Sequence, residues 1–193
     1  ECSFGSQVNT CDNSCNWTPG ACEGGVGVNE DQTEVCGSEF DYNCDGELTV
    51  DADGFEPNNF CTSCRLVGGL DPRNFNLTAT IDNFADDWDF YCFEVADTIS
   101  INPFDLSEEI TVSLTNVPSN KDYDLYLYKS ETDCRMNEEL GSSTLSRGED
   151  ESISWTETLG EDDSGVYIVG VKGYSSTDYS CSEYYTLTID GLH

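Results

Sequence analysis

The sequence predicts an all-β protein, an antiparallel and jelly-roll-like β-sandwich of about eight strands preceded by a small disulfide-rich N-terminal segment. From residue 55 onward, short apolar runs alternate with period two between clusters of Gly, Asp, Asn and Ser. Before that point lie six of the 11 cysteines and few aliphatic residues. We therefore divide the chain into a Cys-rich, disulfide-stapled segment with a calcium-type loop, residues 1–54, and a sandwich domain, residues 55–193.

The leader, residues 1–54, carries too little apolar surface to build its own core, so disulfides must staple it. Eleven cysteines beside a single His indicate an oxidising compartment outside the cell rather than zinc sites. We expect disulfide chemistry at all of them: Cys2, Cys11, Cys15, Cys22, Cys36, Cys44, Cys61, Cys64, Cys92, Cys134 and Cys181. Because eleven is odd, either an intermolecular bridge or a buried free thiol is expected.

Spacing alone does not determine which cysteines pair. We expect Cys134 and Cys181 to join neighbouring strand ends, and Cys61 or Cys64 to reach Cys92.

The strands of the sandwich are predicted from alternation. Leu125 and Leu127 alternate with Tyr126 and Tyr128, which places one face on a core and the other in solvent. No segment shows a convincing helical stripe with a 3.6-residue period, although a short helical turn at 58–64 is compatible with the sequence. The predicted strands are 75–81, 88–95, 98–102, 110–116, 123–129, 152–156, 166–172 and 184–189.

Charge excludes several classes of partner. Asp and Glu number 39 against 7 Lys and Arg, a formal net charge of −32, so nucleic acids and anionic membranes are poor partners. No apolar run approaches the ~18 residues of a membrane span, which argues against membrane insertion. The carboxylates repel one another, and we expect bound calcium, a hard cation that takes oxygen ligands, to offset this repulsion. A merely soluble acidic surface is the alternative.

A first calcium loop is predicted in the leader. Asp41, Asn43 and Asp45, followed by Gly46, match the first half of a D-x-N-x-D-G loop. The twelfth position is Ala52 instead of an acid, so the full pattern fails. The side chains expected to complete the ligand shell are Glu47, Asp51 or Asp53. The alternative is a metal-free Asx-turn loop stapled by Cys36 and Cys44.

Further segments follow in order: Glu56-Pro57-Asn58-Asn59, Asp86-Asp87-Trp88-Asp89-Phe90-Tyr91-Cys92-Phe93, Asp122-Tyr123-Asp124-Leu125-Tyr126-Leu127-Tyr128, Ser164-Gly165-Val166-Tyr167-Ile168 and Tyr185-Thr186-Leu187-Thr188-Ile189. Over residues 55–191 this series resembles the bacterial pre-peptidase C-terminal domain. That family consists of β-sandwiches found beside secreted proteases and in other extracellular proteins, and it is similar to the collagen-binding modules of clostridial collagenases. Cysteines inside the sandwich depart from the family pattern.

The resemblance implies a second calcium site between the E-P-N linker and a D-x-x-D turn. It assigns Glu56, Asn58 and Asn59 together with Asp86 and Asp89 as ligands, and Asp53 as a further oxygen donor. Crowded acid and amide groups are themselves a physical reason to expect a divalent cation. The alternative is a hydrogen-bonded Asx cluster that caps the edge of the sandwich.

The leader shows a second resemblance. The pieces Cys11-Asp-Asn-Ser-Cys15-Asn-Trp17, Glu34-Val-Cys36-Gly37 and Asp41-Tyr-Asn43-Cys44-Asp45-Gly46-Glu47 are similar to a metal-binding motif of myxobacterial surface proteins. This resemblance covers only the leader.

Catalysis is not expected. The single His is residue 193, so His-dependent hydrolysis has no support in the sequence. A pair of carboxylates suffices for glycoside hydrolysis, but among 39 acids no motif singles out one with a raised pKa. The tyrosines, 10 in all, either pair across strands or, if exposed, bind a glycan or a collagen-like strand.

Two functions follow from these observations. The first is a secreted, non-enzymatic, calcium-stabilised subunit of a bacterial surface, appendage or matrix, which associates with itself or another extracellular protein. The second is an accessory module of a secreted hydrolase that binds collagen or polysaccharide.

Overall fold

A computed structural model describes residues 6–7, 10–11, 17–18, 22–23, 36, 53–68, 75–82, 88–95, 109–156 and 164–190. Its strands in chain order are β1 (Ser6–Gln7), β2 (Thr10–Cys11), β3 (Trp17–Thr18), β4 (Cys22–Glu23), β5 (Arg65–Gly68), β6 (Phe75–Ala79), β7 (Trp88–Val95), β8 (Glu109–Thr115), β9 (Tyr123–Tyr128), β10 (Gly141–Ser143), β11 (Glu151–Thr156), β12 (Gly165–Gly173) and β13 (Tyr185–Asp190). A 3-10 helix spans Cys61–Ser63, and α1 spans Glu131–Met136.

Two packed sheets form the sandwich and confirm the predicted all-β class. Among the described strands, one sheet has the order β10-β9-β12-β7-β5 and the other β11-β8-β13-β6. Their neighbours are antiparallel except for β5, which runs parallel to β7. The described part of the leader adds two short antiparallel ladders, β1 with β4 and β2 with β3.

The core lies between the sheets and follows the predicted alternation. In β8, Ile110, Val112 and Leu114 are buried, while the residues between them are partly exposed. Leu187 of β13 and Leu125 of β9 are likewise fully buried in this core. Since burying one such side chain stabilises the fold by about 1.5–3 kcal/mol, these positions hold the two sheets together.

A second, smaller apolar cluster covers the outer face of the five-stranded sheet. It contains Phe90, Cys92, Tyr128, Cys134 and Ile168. The 3-10 helix and α1 contribute to it through the disulfides Cys61–Cys134 and Cys64–Cys92. The expectation that Tyr128 faces solvent is therefore wrong, because its ring packs in this cluster and is 1% exposed.

The described strands match most predicted ranges to within two residues, and the turn at 58–64 contains the 3-10 helix. The predicted strand at 98–102 lies outside the described residues. Within the sandwich, the strands β5 and β10 and the helix α1 were not predicted, and in the leader neither were the two-residue strands β1 to β4. Helix α1 begins at the N-cap Ser130, whose Oγ accepts a hydrogen bond from the backbone N–H of Asp133 at 3.1 Å. It ends at Asn137 in the left-handed conformation.

Three disulfides join distant parts of the chain: Cys36–Cys181, Cys61–Cys134 and Cys64–Cys92. The pairing of Cys64 with Cys92 is one of the two that we expected for Cys92. Cys134 and Cys181 do not pair with each other. Cys134 pairs with Cys61 because the 3-10 helix lies beside it, and Cys181 pairs with Cys36 because the leader lies beside it. For Cys2, Cys11, Cys15, Cys22 and Cys44, pairing lies outside what the structure describes.

The bridge Cys36–Cys181 bears on the predicted calcium loop. It rules out the Cys36–Cys44 staple of the metal-free alternative, since Cys36 is already bonded to the segment before β13. It also ties the predicted leader covalently to the sandwich. Across the described ranges, no helix combines the length and the apolar character needed to cross a bilayer.

Candidate metal centre

Residues 53–60 form the linker, which lies at the end of the sandwich where β6 ends and β7 begins. Oδ2 of Asp53 accepts hydrogen bonds from the backbone N–H and the hydroxyl of Thr80, at 2.7 and 3.3 Å. Oδ1 of Asp53 accepts one from the N–H of Phe55 at 2.9 Å. A single carboxylate thus fastens the start of the linker to the end of β6.

The linker also docks onto β7. Asn58 is fully buried, and its carbonyl accepts a hydrogen bond from the N–H of Phe90 at 2.9 Å. Its own N–H donates to Oε2 of Glu56 at 3.2 Å. The ring of Phe55 meets the ring of Tyr91 edge-on, with centroids 5.7 Å apart. These contacts hold Glu56 and Asn58 beside the first residues of β7.

Asp89 is the buried acid of this junction, 1% exposed. Its Oδ2 accepts a hydrogen bond from the hydroxyl of Tyr185 at 2.5 Å and another from Tyr91 at 3.4 Å. The two hydroxyls are 2.7 Å apart. Because β7 and β13 belong to different sheets, this network spans the core.

Three carboxylates act on one hydroxyl at the junction. Burial raises the pKa of Tyr91 well above its usual value, and the negative charges of Asp89, Asp53 and Glu56 raise it further. The pKa of Tyr185 is raised by burial first and then by Asp89. Both hydroxyls therefore stay protonated and remain hydrogen-bond donors at physiological pH.

The structure brings together four of the residues predicted for the second calcium site, Asp53, Glu56, Asn58 and Asp89. Asn59, partly buried, follows Asn58 in the linker. Asp86 lies outside the described residues. So do Asp41, Asn43, Asp45, Glu47 and Asp51 of the first predicted loop, which stays a prediction.

The donor chemistry at the junction fits calcium, since every side chain predicted to bind the ion offers oxygen. Over the described ranges, no three His, Cys, Asp or Glu side chains are grouped so that they could hold one metal ion. An ion bound here would share at most two of the described carboxylates, and amide, carbonyl or water oxygens would supply the remainder of its six to eight ligands.

Asp53 has a structural role whether or not a cation is bound. Both of its oxygens already accept hydrogen bonds, from Phe55 and from Thr80. The alternative of a hydrogen-bonded Asx cluster thus describes Asp53 well.

The participation of Tyr91 and Tyr185 in this junction was not predicted. A signal was present for Tyr185, which shares its alternation with Leu187 and Ile189 and so faces the core. Its partnership with Asp89 depends on which strands face each other across the sandwich, and strand periodicity does not report that.

The described tyrosines differ in their exposure. Tyr123, Tyr128, Tyr167 and Tyr185 are buried, and Tyr126 packs against Trp88 with ring centroids 5.0 Å apart, which supports the cross-strand interpretation for these residues. Tyr174 and Tyr184 remain at the surface, 72% and 44% exposed. Both lie in the connection between β12 and β13.

This connection lies at the same end of the sandwich as the metal-centre candidate. The end of β12 is paired with the start of β7, Lys172 opposite Trp88. The N–H of Ser180 donates to the carbonyl of Ile81, just beyond β6, at 2.7 Å. Linker, buried acid and exposed tyrosines therefore share one end of the molecule.

Comparison with known proteins adds no relative. Neither a scan against models of protein families nor a search of curated proteins finds a match for this chain. The likeness to the pre-peptidase C-terminal domain thus stays a resemblance carried by the residues quoted above.

Proposed function

We propose that the protein is a secreted, non-enzymatic β-sandwich stabilised by calcium and disulfides, which serves as a structural or surface-assembly subunit outside the cell. The observation that carries the proposal is the junction between leader and sandwich. There a disulfide, Cys36–Cys181, and the hydrogen bonds from Thr80 to Asp53 join the leader to the sandwich at one end. Such fastening suits a subunit that must persist without cellular repair.

Calcium completes this junction in the proposal. Asp89 and Glu56 would contribute carboxylate oxygens and Asn58 and Asn59 amide or carbonyl oxygens, with Asp86 as the further acid from the resemblance. Acids at a buried site repel one another, and a divalent cation offsets that repulsion. With a formal net charge of −32, acids repel one another across the whole chain, and bound cations offset that repulsion as well.

The calcium proposal is tested by thermal unfolding in 1 mM calcium, in EDTA and in magnesium. If calcium is present at about 100 times its Kd, it stabilises the fold by about 2.7 kcal/mol. For a domain of this size we expect the Tm to fall by about 5–10 °C in EDTA, and magnesium to restore little of it.

Two variants localise the effect. Glu56→Gln and Asp89→Asn each remove one junction charge, and the difference in Tm between calcium and EDTA should shrink in both. Asp190→Asn removes one charge from the exposed end of β13 and should leave that difference unchanged. An identical Tm with calcium and EDTA in the unaltered protein would end the calcium proposal.

Assembly is tested separately by sedimentation velocity and electron microscopy of the full chain in millimolar calcium. We expect ordered multimers or fibres whose formation depends on protein concentration. A protein that sediments only as a monomer at every concentration contradicts the assembly role.

A second function has an observation of its own. Tyr174 and Tyr184 expose aromatic surface, whereas most of the described tyrosines are buried. This favours an accessory module that binds polysaccharide or a collagen-like polymer, and pull-down on insoluble substrates tests it.

A further inference from the structure

The tyrosine loop, residues 174–184, connects β12 to β13 and carries Tyr174, Tyr179 and Tyr184 among Ser and Thr residues. The exposed fraction of Tyr174 is 72% and that of Tyr184 is 44%. Tyr179 is partly buried, and the ammonium group of Lys121 lies 5.3 Å from its ring centroid. Tyr174 and Tyr184 are therefore the two rings with surface available to a ligand.

Internal hydrogen bonds define the shape of the tyrosine loop. The buried carboxylate of Asp178 accepts bonds from the N–H and the hydroxyl of Ser175, at 3.1 and 2.5 Å. The N–H of Asp178 donates back to the carbonyl of Ser175 at 2.9 Å. The guanidinium of Arg147 lies 3.4 Å from the same carboxylate. These hydrogen bonds fix the conformation of the turn that follows Tyr174.

The tyrosine loop is also fastened to the sandwich along its length. The N–H of Tyr174 donates to the carbonyl of Asp122 at 2.9 Å, and the ammonium of Lys121 donates to the carbonyl of Thr177 at 2.8 Å. Further along, Cys181 is bonded to Cys36. Binding on a loop held this way costs little conformational entropy, which is the property of a preorganised binding surface.

The chemistry of this surface fits a neutral sugar polymer. An exposed tyrosine offers an apolar ring face and a hydroxyl, and a pyranose offers an apolar C–H face edged by hydroxyls. The exposed residue Ser176 lies near Tyr174 and supplies a further hydroxyl group, whereas the hydroxyls of Ser175 and Thr177 are hydrogen-bonded to each other. The formal net charge of −32 repels anionic polymers.

We propose that the tyrosine loop is a binding surface for neutral polysaccharide, with sugar rings stacked on Tyr174 and Tyr184. This deepens the second function proposed above and does not depend on calcium or self-association. A protein partner fits less well, because a stable protein interface buries about 1,600 Å² in total, far more than two tyrosine side chains offer.

Binding is measured with the full chain on insoluble cellulose and chitin and by titration with a soluble neutral β-glucan. Tyr174→Ala and Tyr184→Ala should each weaken binding by about fivefold to tenfold, and the double variant by more. Tyr174→Phe keeps the ring and should retain most of the affinity. Val166→Ala is the matched control, since Val166 is 47% exposed but lies at the opposite end of β12 from Tyr174, and it should bind like the unaltered protein.

Circular dichroism and Tm establish that each variant folds. The proposal is overturned if the unaltered chain binds none of these polymers, if both Ala variants bind as tightly as it does, or if anionic alginate binds equally well. Retention on a collagen gel that the Ala variants abolish, without binding to any glycan, assigns the loop to a protein partner instead. Sedimentation of the same variants in calcium should be unchanged, which separates this test from that of assembly.

Discussion

The hydroxyl of Tyr185 in β13 donates a 2.5 Å hydrogen bond to the carboxylate of Asp89 in β7, and this bond joins the two sheets through the core. Tyr91 adds its hydroxyl to the same network, 2.7 Å from that of Tyr185. The carboxylate of Asp89 is only 1% exposed, and a buried charge without enough hydrogen-bond donors destabilises the folded state. The network therefore adds a polar connection between the sheets to the apolar packing around it.

Tyr185→Phe should lower the free energy of unfolding by about 2 kcal/mol, because it removes a charge-assisted hydrogen bond to a buried carboxylate. Urea unfolding measures the loss. The control is Tyr123→Phe, a change of the same atom in a tyrosine whose ring packs edge-on against Tyr185. Within the described part of the chain, the buried hydroxyl of Tyr123 has no hydrogen-bond partner. Its removal should cost less than about 0.5 kcal/mol. Equal losses in both variants contradict the role of the Asp89 bond.

Gly173→Ala should destabilise the protein by about 2–3 kcal/mol, because a Cβ at this position collides with the backbone carbonyl oxygen of Asp178. The tyrosine loop would have to move away from β12 to relieve the clash. Gly165→Ala, at the other end of the same strand, has no atom within 4 Å of the new Cβ and should be neutral. Thermal unfolding of both variants decides, and unchanged stability of Gly173→Ala shows that the loop yields without cost.

Asp124 should make the protein less stable as the pH rises from about 4 to 6. Burial, and then the charges of Asp122 and Glu151, raise the pKa of Asp124 from 3.8 to about 6. In that window the folded state keeps the proton and the unfolded state releases it, so stability is full below pH 4 and is lost as the pH rises to 6.

Asp124→Asn should remove this dependence and raise stability at pH 7.5 by on the order of 2 kcal/mol. Unfolding free energies measured between pH 3.5 and 7.5 test the sign. Asp190→Asn is the control, because it removes one charge from an exposed position. The prediction fails if Asp124→Asn lowers stability at pH 7.5.

Two disulfides should differ in what they contribute. Cys36–Cys181 closes a separation of 145 residues and Cys64–Cys92 one of 28. Chain entropy predicts losses of about 5 and 3.5 kcal/mol when each pair is replaced by serine, the first somewhat reduced by the bridges nested inside it. Urea unfolding of the two double variants compares them, and a larger loss for the shorter loop contradicts the entropic account.

The sequence predicted the sandwich because its strands alternate. β8 and β13 bury every second residue, so the pattern of Ile110, Val112 and Leu114 was sufficient. β10, Gly-Ser-Ser, contains no apolar residue that could show alternation. Helix α1 is too short for an apolar stripe, although Ser130 with Asp133 is a recognisable N-cap pattern.

The sequence singled out the acids of the junction but not the tyrosines beside them, and calcium binding there stays a prediction. Asp53, Glu56, Asn58 and Asp89 are local in the sequence or belong to recognisable motifs. Tyr185 lies 96 residues from Asp89, and only the stacking of one sheet on the other brings them together. The partners of Cys134 and Cys181 were missed for the same reason, since they depend on where α1 docks against the 3-10 helix and where the leader lies against the sandwich.

The bridge between Cys36 and Cys181 also determines how the molecule would respond to mechanical load. A pull on the chain ahead of Cys36 passes through the disulfide to Cys181, so most of the sandwich between these two positions bears no tension. Of the described segments that follow Cys36, only the one beyond Cys181, which contains β13, stays in the path. Because β13 is already an extended strand, a pull across this part of the molecule would lengthen it little, which is the mechanical behaviour of a short inextensible link.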